Sequence, residues 1–326
     1  MTPTTRAEDV LRIGTRGSRL ARWQAERVAT VLLEHDSDLT VEIITIASHG
    51  DLHGQSVRDL DVRGIFTREI EQALLDHQID VAVHSLKDLP TETPDGIELA
   101  AVLPRDDPRD VLVARALAGS EIRDGAAAIV ALPSRAQIAT SSLRRRAELL
   151  HARPDLDVIE LRGNVPTRIA KVERGEVEGV VLSLAGLVRL GLQPSGSVPL
   201  DPDVMLPAPG QGTIVVQARR DDQITLDRVA PIDDRTTRVC TTAERLLLHA
   251  LEGGCRVPIG ALAQLAADGD TVHLRARLST PDGKTRIEES ASGRSNQLAD
   301  LVQRMAESFR ARGAAKILAS VRNPAD

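Results

Sequence analysis

The sequence predicts an α/β protein of two lobes with a cleft between them, followed by a small α+β C-terminal domain. Residues 10–86 alternate short apolar strands with amphipathic helices, and residues 137–191 do the same. The proline-bearing stretch PRDDPRD (104–110) and the Pro/Gly hinge LPAPGQG (206–212) read as two crossings between lobes. A strand, TIVVQAR (213–219), follows the second crossing, so the chain is expected to leave the first lobe and return to it. The expected domains are residues 8–104 with 213–231, residues 109–206, and residues 235–326.

VLRIGT (10–15) is a short apolar strand ending in small residues. Ser18 is placed to cap the next helix, where Leu20, Trp23, Val28, Val31 and Leu32 recur at helical spacing. LTVEIITIAS (39–48) is a second strand, FTREIEQALLDHQ (66–78) a second helix and IDVAVHSL (79–86) a third strand. Strands separated by helices imply parallel pairing with right-handed crossovers. In the second lobe QIATSSLRRRAELL (137–150), DVIELRGNVPTRIAKVERG (157–175) and GVVLSLAGLVRLG (179–191) each run from a strand through small or polar residues into a helix. RTTRVCTTAERLLLHALEGG (235–254) is a helix in which Cys240 is expected to be a buried, inert thiol. TVHLRARLSTPDGKTRIEESA (271–291) reads as two strands around a Pro-Asp-Gly turn, and NQLADLVQRMAESFRARG (296–313) as a closing helix.

Composition narrows the function. A length of 326 residues suits two domains, or three small ones. One Trp, two Phe and no Tyr leave an almost wholly aliphatic core and no base-stacking platform. The net charge of −6, without a block of like charge, adds no general phosphate-binding surface, so no nucleic-acid partner is expected. No run approaches the length of a membrane span, and MTPTTRAEDV has no apolar signal core, which gives a cytoplasmic expectation with reduced thiols. A Cys240–Cys255 disulfide is therefore disfavoured, and two cysteines cannot make a thiolate-only zinc site; no metal is expected.

Ligands of such sheets collect beyond the carboxyl ends of the strands. Those ends carry GTRGSR (14–19), SHGD (48–51) and HSLKD (84–88), and no GxGxxG or Walker motif follows any strand. In the second lobe Arg144, Arg145, Arg162, Arg168 and Arg189 lie near helix starts, where cations oppose the macrodipole. Any one of them is more readily a solvated surface residue; as a set they favour binding of carboxylates or phosphates. Asp88 among cations stays ionised and is suited to hold a developing positive charge. LEGGCRVPIG (251–260) sets Cys255 behind two glycines and ahead of Pro258, which implies a constrained loop rather than a packed element.

LRIGTRGSRLARWQA, VAVHSLKDLPTE, ATSSLRRRAELL, LRGNVPTRI, LAGLVRLG, LPAPGQG and LEGGCRVPIG resemble, in order, the motifs of the porphobilinogen deaminase family, also called hydroxymethylbilane synthases. The resemblance implies two periplasmic-binding-protein-like lobes, an active site between them, and a third domain carrying a cofactor cysteine. By motif match Cys255 anchors a dipyrromethane cofactor through a thioether, and Asp88 is the catalytic carboxylate. Ser85, Lys87, Asp88, Thr140, Ser142, Arg144, Arg145 and Arg168 fall on the cofactor side. Arg16, Ser18, Gln24, Arg162 and Arg189 fall on the substrate side. The implied reaction deaminates porphobilinogen to a cation, joins four units head-to-tail on the primer and frees a linear tetrapyrrole by hydrolysis, in haem biosynthesis. The family expectation is a monomer with a small-molecule substrate and no membrane partner.

Two cofactor units plus four substrate units carry twelve carboxylates by this resemblance, against seven cations in the matched set, so repulsion is expected to build as the chain grows. The sequence departs from the family in the lid, which reads DVRGIF (61–66): Arg63 stands for the usual lysine, and Phe66 keeps the aromatic. Arg19 replaces a common proline and His49 a common arginine. The rival readings are a non-enzymatic two-lobed binder of small polycarboxylates, which leaves Cys255 and Asp88 unused, and a cysteine hydrolase, which lacks a well-placed histidine.

Overall fold

The computed structural model describes residues 10–47, 67–251 and 257–322. In chain order it begins β1 (Val10–Arg16), α1 (Arg19–His35), β2 (Thr40–Ile46), α2 (Arg68–Leu75), β3 (Val81–Ser85) and β4 (Ile97–Val102). There follow β5 (Asp110–Ala114), α3 (Gly125–Val130), β6 (Gln137–Ala139), α4 (Leu143–Ala152), β7 (Asp157–Ile159), α5 (Val165–Glu173), β8 (Gly179–Ser183), α6 (Leu184–Arg189) and β9 (Ser197–Leu200). The last part holds β10 (Ile214–Arg219), α7 (Gln223–Val229), α8 (Arg235–Ala250), β11 (Ile259–Leu265), β12 (Thr271–Ser279), β13 (Arg286–Arg294), α9 (Leu298–Ala311) and α10 (Ala314–Arg322).

The chain gathers into two compact units, Met1–Arg105 with Thr213–Arg238, and Asp106–Gly212 with Val239–Asp326. The first is built on a five-stranded sheet of order β2-β1-β3-β10-β4. β1 runs parallel to β2 and β3, as the strand–helix alternation predicts. The return strand β10 instead inserts antiparallel between β3 and β4. Parallel pairing alone is thus too simple, because a strand arriving from outside the local βαβ series need not keep its direction.

Period-2 alternation sends successive strand residues to opposite faces. Leu11, Ile13, Val81 and Val83 pack with Ala25, Val28 and Leu32 of α1. Ala82 packs on the other side with Ile70, Ala73 and Leu74 of α2 and with Ile79 and Ile97. A side chain at Gly14 would meet Ile79 Cδ1 at 2.2 Å, so the end of that isoleucine would have to move aside to admit it.

His84 is buried on β3, and its Nε2 meets no hydrogen-bond partner. Burial first, and the charge of Arg16 second, push its pKa from 6.5 down to about 4, against the opposing pull of the Gln217 amide. Between those values the unfolded chain takes up a proton that the folded chain refuses. Stability therefore falls as pH drops from about 6.5 to about 4, by roughly 3 kcal/mol. His84→Phe is expected to flatten that part of a stability–pH curve measured by urea unfolding; an unchanged slope would assign the effect to another group.

In the second unit the sheet order is β7-β6-β8-β5-β9, with β6 parallel to β7 and β8 and β5 antiparallel to β8 and β9. β5 is fully buried, where the sequence predicts only the end of a crossing at Asp110 and no strand. A four-residue apolar run, VLVA (111–114), directly after a proline-rich stretch has no periodicity to mark it. The same unit carries the antiparallel meander β11-β12-β13, packed on α8, α9 and α10 around Leu247, Leu274, Leu278, Met305 and Phe309. Cys240 is buried in this core. The residues expected as second and third domains keep separate hydrophobic cores, on which the three-domain proposal rests. Among the described residues no helix is long and apolar enough to cross a membrane.

Candidate active site

In the first unit the expected residues gather at the carboxyl ends of β1 and β3, which are neighbours in the sheet. β1 ends on Arg16, and the Ser18 hydroxyl caps α1 by accepting from Ala21 N at 3.2 Å. One turn on, the buried Gln24 donates from Nε2 to Ser85 Oγ at 2.8 Å, joining two predicted residues from α1 and β3. β3 continues into a single 3-10 turn, Leu86–Asp88, held by Leu86 N donating to Thr213 O at 3.0 Å. Leu86 is buried, Lys87 half-buried and Asp88 exposed. The turn thereby buries its apolar member and sends the carboxylate outward.

The second unit repeats the pattern with cations. β6 leads to buried Thr140, whose Oγ1 accepts from Ser142 N at 3.2 Å, and Ser142 caps α4. The first turn of α4 presents Arg144 and Arg145, both buried. Asp110, the wholly buried first residue of β5, accepts from Arg144 Nη1 at 2.6 Å and from Arg145 Nη2 at 2.7 Å and Nε at 3.1 Å. Gln211 Nε2 adds a fourth bond at 3.0 Å. Burial works against the charged carboxylate, but the two guanidiniums outweigh it and hold the Asp110 pKa well below the usual range. Arg144 Nη1 also donates to Leu206 O and Arg145 Nη1 to Val181 O, while the buried Nε of Arg144 has no partner.

At the end of β7, Arg162 is exposed and lies 3.5 Å from Glu160, a contact worth little in solvent. Asn164 caps α5, and Arg168 in its first turn reaches back to Gly163 O at 2.7 Å. Desolvation, then the charge of Arg145, lowers the Arg168 pKa, which places two cations in mutual repulsion. Arg189 differs from its sequence expectation of a helix start. It closes the last turn of α6, buried, with Nε on Asp106 Oδ2 at 2.8 Å and Nη2 on Gly212 O at 2.7 Å. It thus pins the two crossing segments together. In these contacts three guanidiniums (Arg144, Arg145 and Arg189) meet two carboxylates, while Arg168 donates to a backbone carbonyl.

Sequence reasoning missed Asp106, Asp110 and Gln211. Their only signal was the acid-rich PRDDPRD and the glutamine between glycines, both read solely as crossings. The finding alters the charge count, because Asp106 and Asp110 already engage three of the seven matched cations, and Glu160 lies against a fourth, Arg162. Cys255, Arg63 and Phe66 lie outside the described residues, as does His49. The strand after the cysteine, β11, is nonetheless tied to the second crossing: Ala261 N donates to Pro207 O at 2.9 Å. A side chain at Gly260 would meet Leu206 Cβ at 2.7 Å.

A family model described as the dipyromethane cofactor binding domain of porphobilinogen deaminase matches residues 11–227. A second, the C-terminal domain of porphobilinogen deaminase, matches residues 238–311. The chain belongs to the porphobilinogen deaminase family. A porphobilinogen deaminase from Syntrophomonas wolfei is 43% identical over 313 residues, covering 96% of this chain and 99% of its own length. One from Acidithiobacillus ferrooxidans is 43% identical over 314 residues, with 96% and 98% covered. Among solved structures, an amino acid ABC transporter substrate-binding protein from Streptococcus pneumoniae, bound to L-arginine, gives a TM-score of 0.40 at 12% identity. That comparison covers 69% of this chain and 87% of the other. The porphobilinogen deaminase family binds a dipyrromethane cofactor, and the residues here suit one: the unpartnered Arg144 Nε and the mutually repelling charges of Arg145 and Arg168 fit a group that carries carboxylates.

Proposed function

We propose that this protein is a hydroxymethylbilane synthase, a transferase that deaminates porphobilinogen and joins four units on a dipyrromethane carried by Cys255. The observation that carries the reading is the exposed carboxylate of Asp88 at the end of β3, in a chain that matches the family along its length. When bound, the dipyrromethane supplies the primer to which new units are joined. The rest is the work of the chain's own side chains. Asp88 accepts pyrrole N–H bonds and faces the positive charge that develops as the substrate loses ammonia, and it takes up or returns the ring proton.

Lys87, Arg144, Arg145 and Arg168, with the hydroxyls of Ser85, Thr140 and Ser142, are assigned to the cofactor carboxylates. Arg16, Ser18, Gln24 and Arg162 are assigned to the acetate and propionate of the incoming substrate, for which the guanidinium fork is suited in a way ammonium is not. Arg189 is assigned to the same substrate side, with its contacts to Asp106 and Gly212 fixing its direction. Arg63 and Phe66 are assigned to the lid.

The first test is the intact mass of the purified chain beside that of Cys255→Ser. An excess of two linked pyrrole units, present only with the cysteine, is the expected result. If the wild-type mass stays at the bare chain even after incubation with porphobilinogen or hydroxymethylbilane, the synthase reading falls. A polycarboxylate-binding protein then takes its place.

A further inference from the structure

Apart from the cluster around Asp110, buried charge concentrates where the β12–β13 hairpin meets α4. Arg277 on β12 is 1% exposed, the largest fully buried side chain described. Its Nη1 donates to Glu148 Oε2 at 2.7 Å, its Nε to Glu288 Oε2 at 2.9 Å and its Nη2 to Asp203 O at 3.1 Å. Glu148 is itself buried on α4, one turn after Arg144 and therefore on the same helix face. Burial raises its pKa despite the opposing charges of Arg277, Arg144 and Arg286, so the carboxylate sits at a real desolvation cost.

The tip of the hairpin makes a second, steric contact. Gly283 has φ +72°, and a side chain there would lie 2.5 Å from His151 N and 2.6 Å from Ala147 O. His151 Nδ1 is 2.9 Å from Gly283 O. The hairpin thus holds α4 at its middle and at its last turn, and the opposite end of the helix carries Arg144 and Arg145.

α4 has reasons to need such a hold. It has ten residues, too few to be stable alone in water. Its first turn carries adjacent arginines with no acidic residue, which opposes the helix dipole. A two-pronged guanidinium contact also tolerates little displacement, since an error of about 1 Å in a binding group can cost on the order of 10²-fold.

We propose that the β12–β13 hairpin is the positioning element for Arg144 and Arg145, with the Glu148–Arg277 pair as its polar contact and Gly283 as its steric one. Glu148, Arg277 and Gly283 are positioning residues that touch neither substrate nor cofactor. The inference rests on the synthase reading above, in which Arg144 and Arg145 hold cofactor carboxylates.

The test uses the full chain in four forms: wild type, Glu148→Gln, Gly283→Ala and Leu247→Ala. Glu148→Gln keeps the volume and an acceptor oxygen for Arg277 and removes the charge. Gly283→Ala changes no charge and lifts the hairpin tip off α4. Leu247→Ala, on α8, weakens the C-terminal core outside the hairpin, as a match for lost stability. The readouts are the fraction of purified protein carrying two pyrrole units by intact mass, the KM for porphobilinogen and the melting temperature. Both clamp variants are expected to lose roughly tenfold or more of the loaded fraction, while Leu247→Ala loads like wild type at a similar melting temperature. If the clamp variants load like Leu247→Ala and keep the wild-type KM, the hairpin is merely structural and the proposal is overturned. Should Gly283→Ala not fold, Glu148→Gln alone decides between these results. A wild-type chain that gains no mass would overturn the synthase reading first, and this inference with it.

Discussion

Asp88→Asn is expected to lower kcat for porphobilinogen consumption by about 10²–10⁴-fold, with little change in KM. The substitution keeps the size of the side chain and one acceptor oxygen and removes the negative charge. An opposite charge developing about 4 Å away, at an effective dielectric near 20, is stabilised by roughly 4 kcal/mol, which corresponds to about three powers of ten in rate. Because that charge arises on the way to the transition state, its loss falls on kcat and on kcat/KM alike. Asp88→Glu, which keeps the charge and moves it by one methylene, should retain part of the rate. Steady-state rates are to be read beside intact masses, so that an unloaded enzyme is not mistaken for an impaired one. A loaded Asp88→Asn enzyme within tenfold of wild type would remove Asp88 from the chemistry.

The second large effect is expected at a residue that does no chemistry. Asp110→Ala leaves Arg144 and Arg145 buried without their shared counter-charge. Breaking a buried pair by removing one partner costs about 3–5 kcal/mol, and for a unit of this size that lowers the melting temperature by roughly 6–20 °C. The pH dependence follows from the same contact. The folded pKa of Asp110 lies below its unfolded value, so its contribution is complete above an unfolded pKa of about 3.9 and is lost as pH falls through the folded value. The wild type should therefore shed this stability below about pH 4, and Asp110→Ala should lack that part of the acid slope. Thermal melts of both proteins at neutral pH and across the acid range measure both. A change of less than about 2 °C at neutral pH would mean that the Leu206 and Val181 carbonyls suffice to hold the two arginines.

These two residues mark the limits of what the chain reveals on reading. Asp88 is legible because it stands in a local motif at a strand end, and a strand end is announced by the residues on either side of it. Asp110 stands in an equally polar stretch, PRDDPRD, yet nothing nearby distinguishes it from Asp106 or Asp107. Asp107 turns out to pair with Arg109, two residues away and partly exposed. Asp110 pairs with guanidiniums 34 and 35 positions further on, in full burial. Arg189 illustrates the converse. Its identity was readable, but its partner Asp106 lies 83 residues earlier, and only the fold brings an α6 terminus to the crossing.

The sequence by itself determined the alternation of strands and helices in the two lobes, the capping residue Ser18, the acid–cation sets at the strand ends, and the family. All of these depend on side-chain periodicity, on hydrogen bonds within a few residues, or on motifs contiguous in the chain. Only the tertiary structure decided that β10 enters its sheet antiparallel, that Asp106 and Asp110 engage three of the seven expected ligand cations, and that Gly283 docks on a helix 132 residues before it. Those outcomes come from long-range burial. A charge withdrawn from water must find its partner wherever the packed core places one, whatever the distance along the chain.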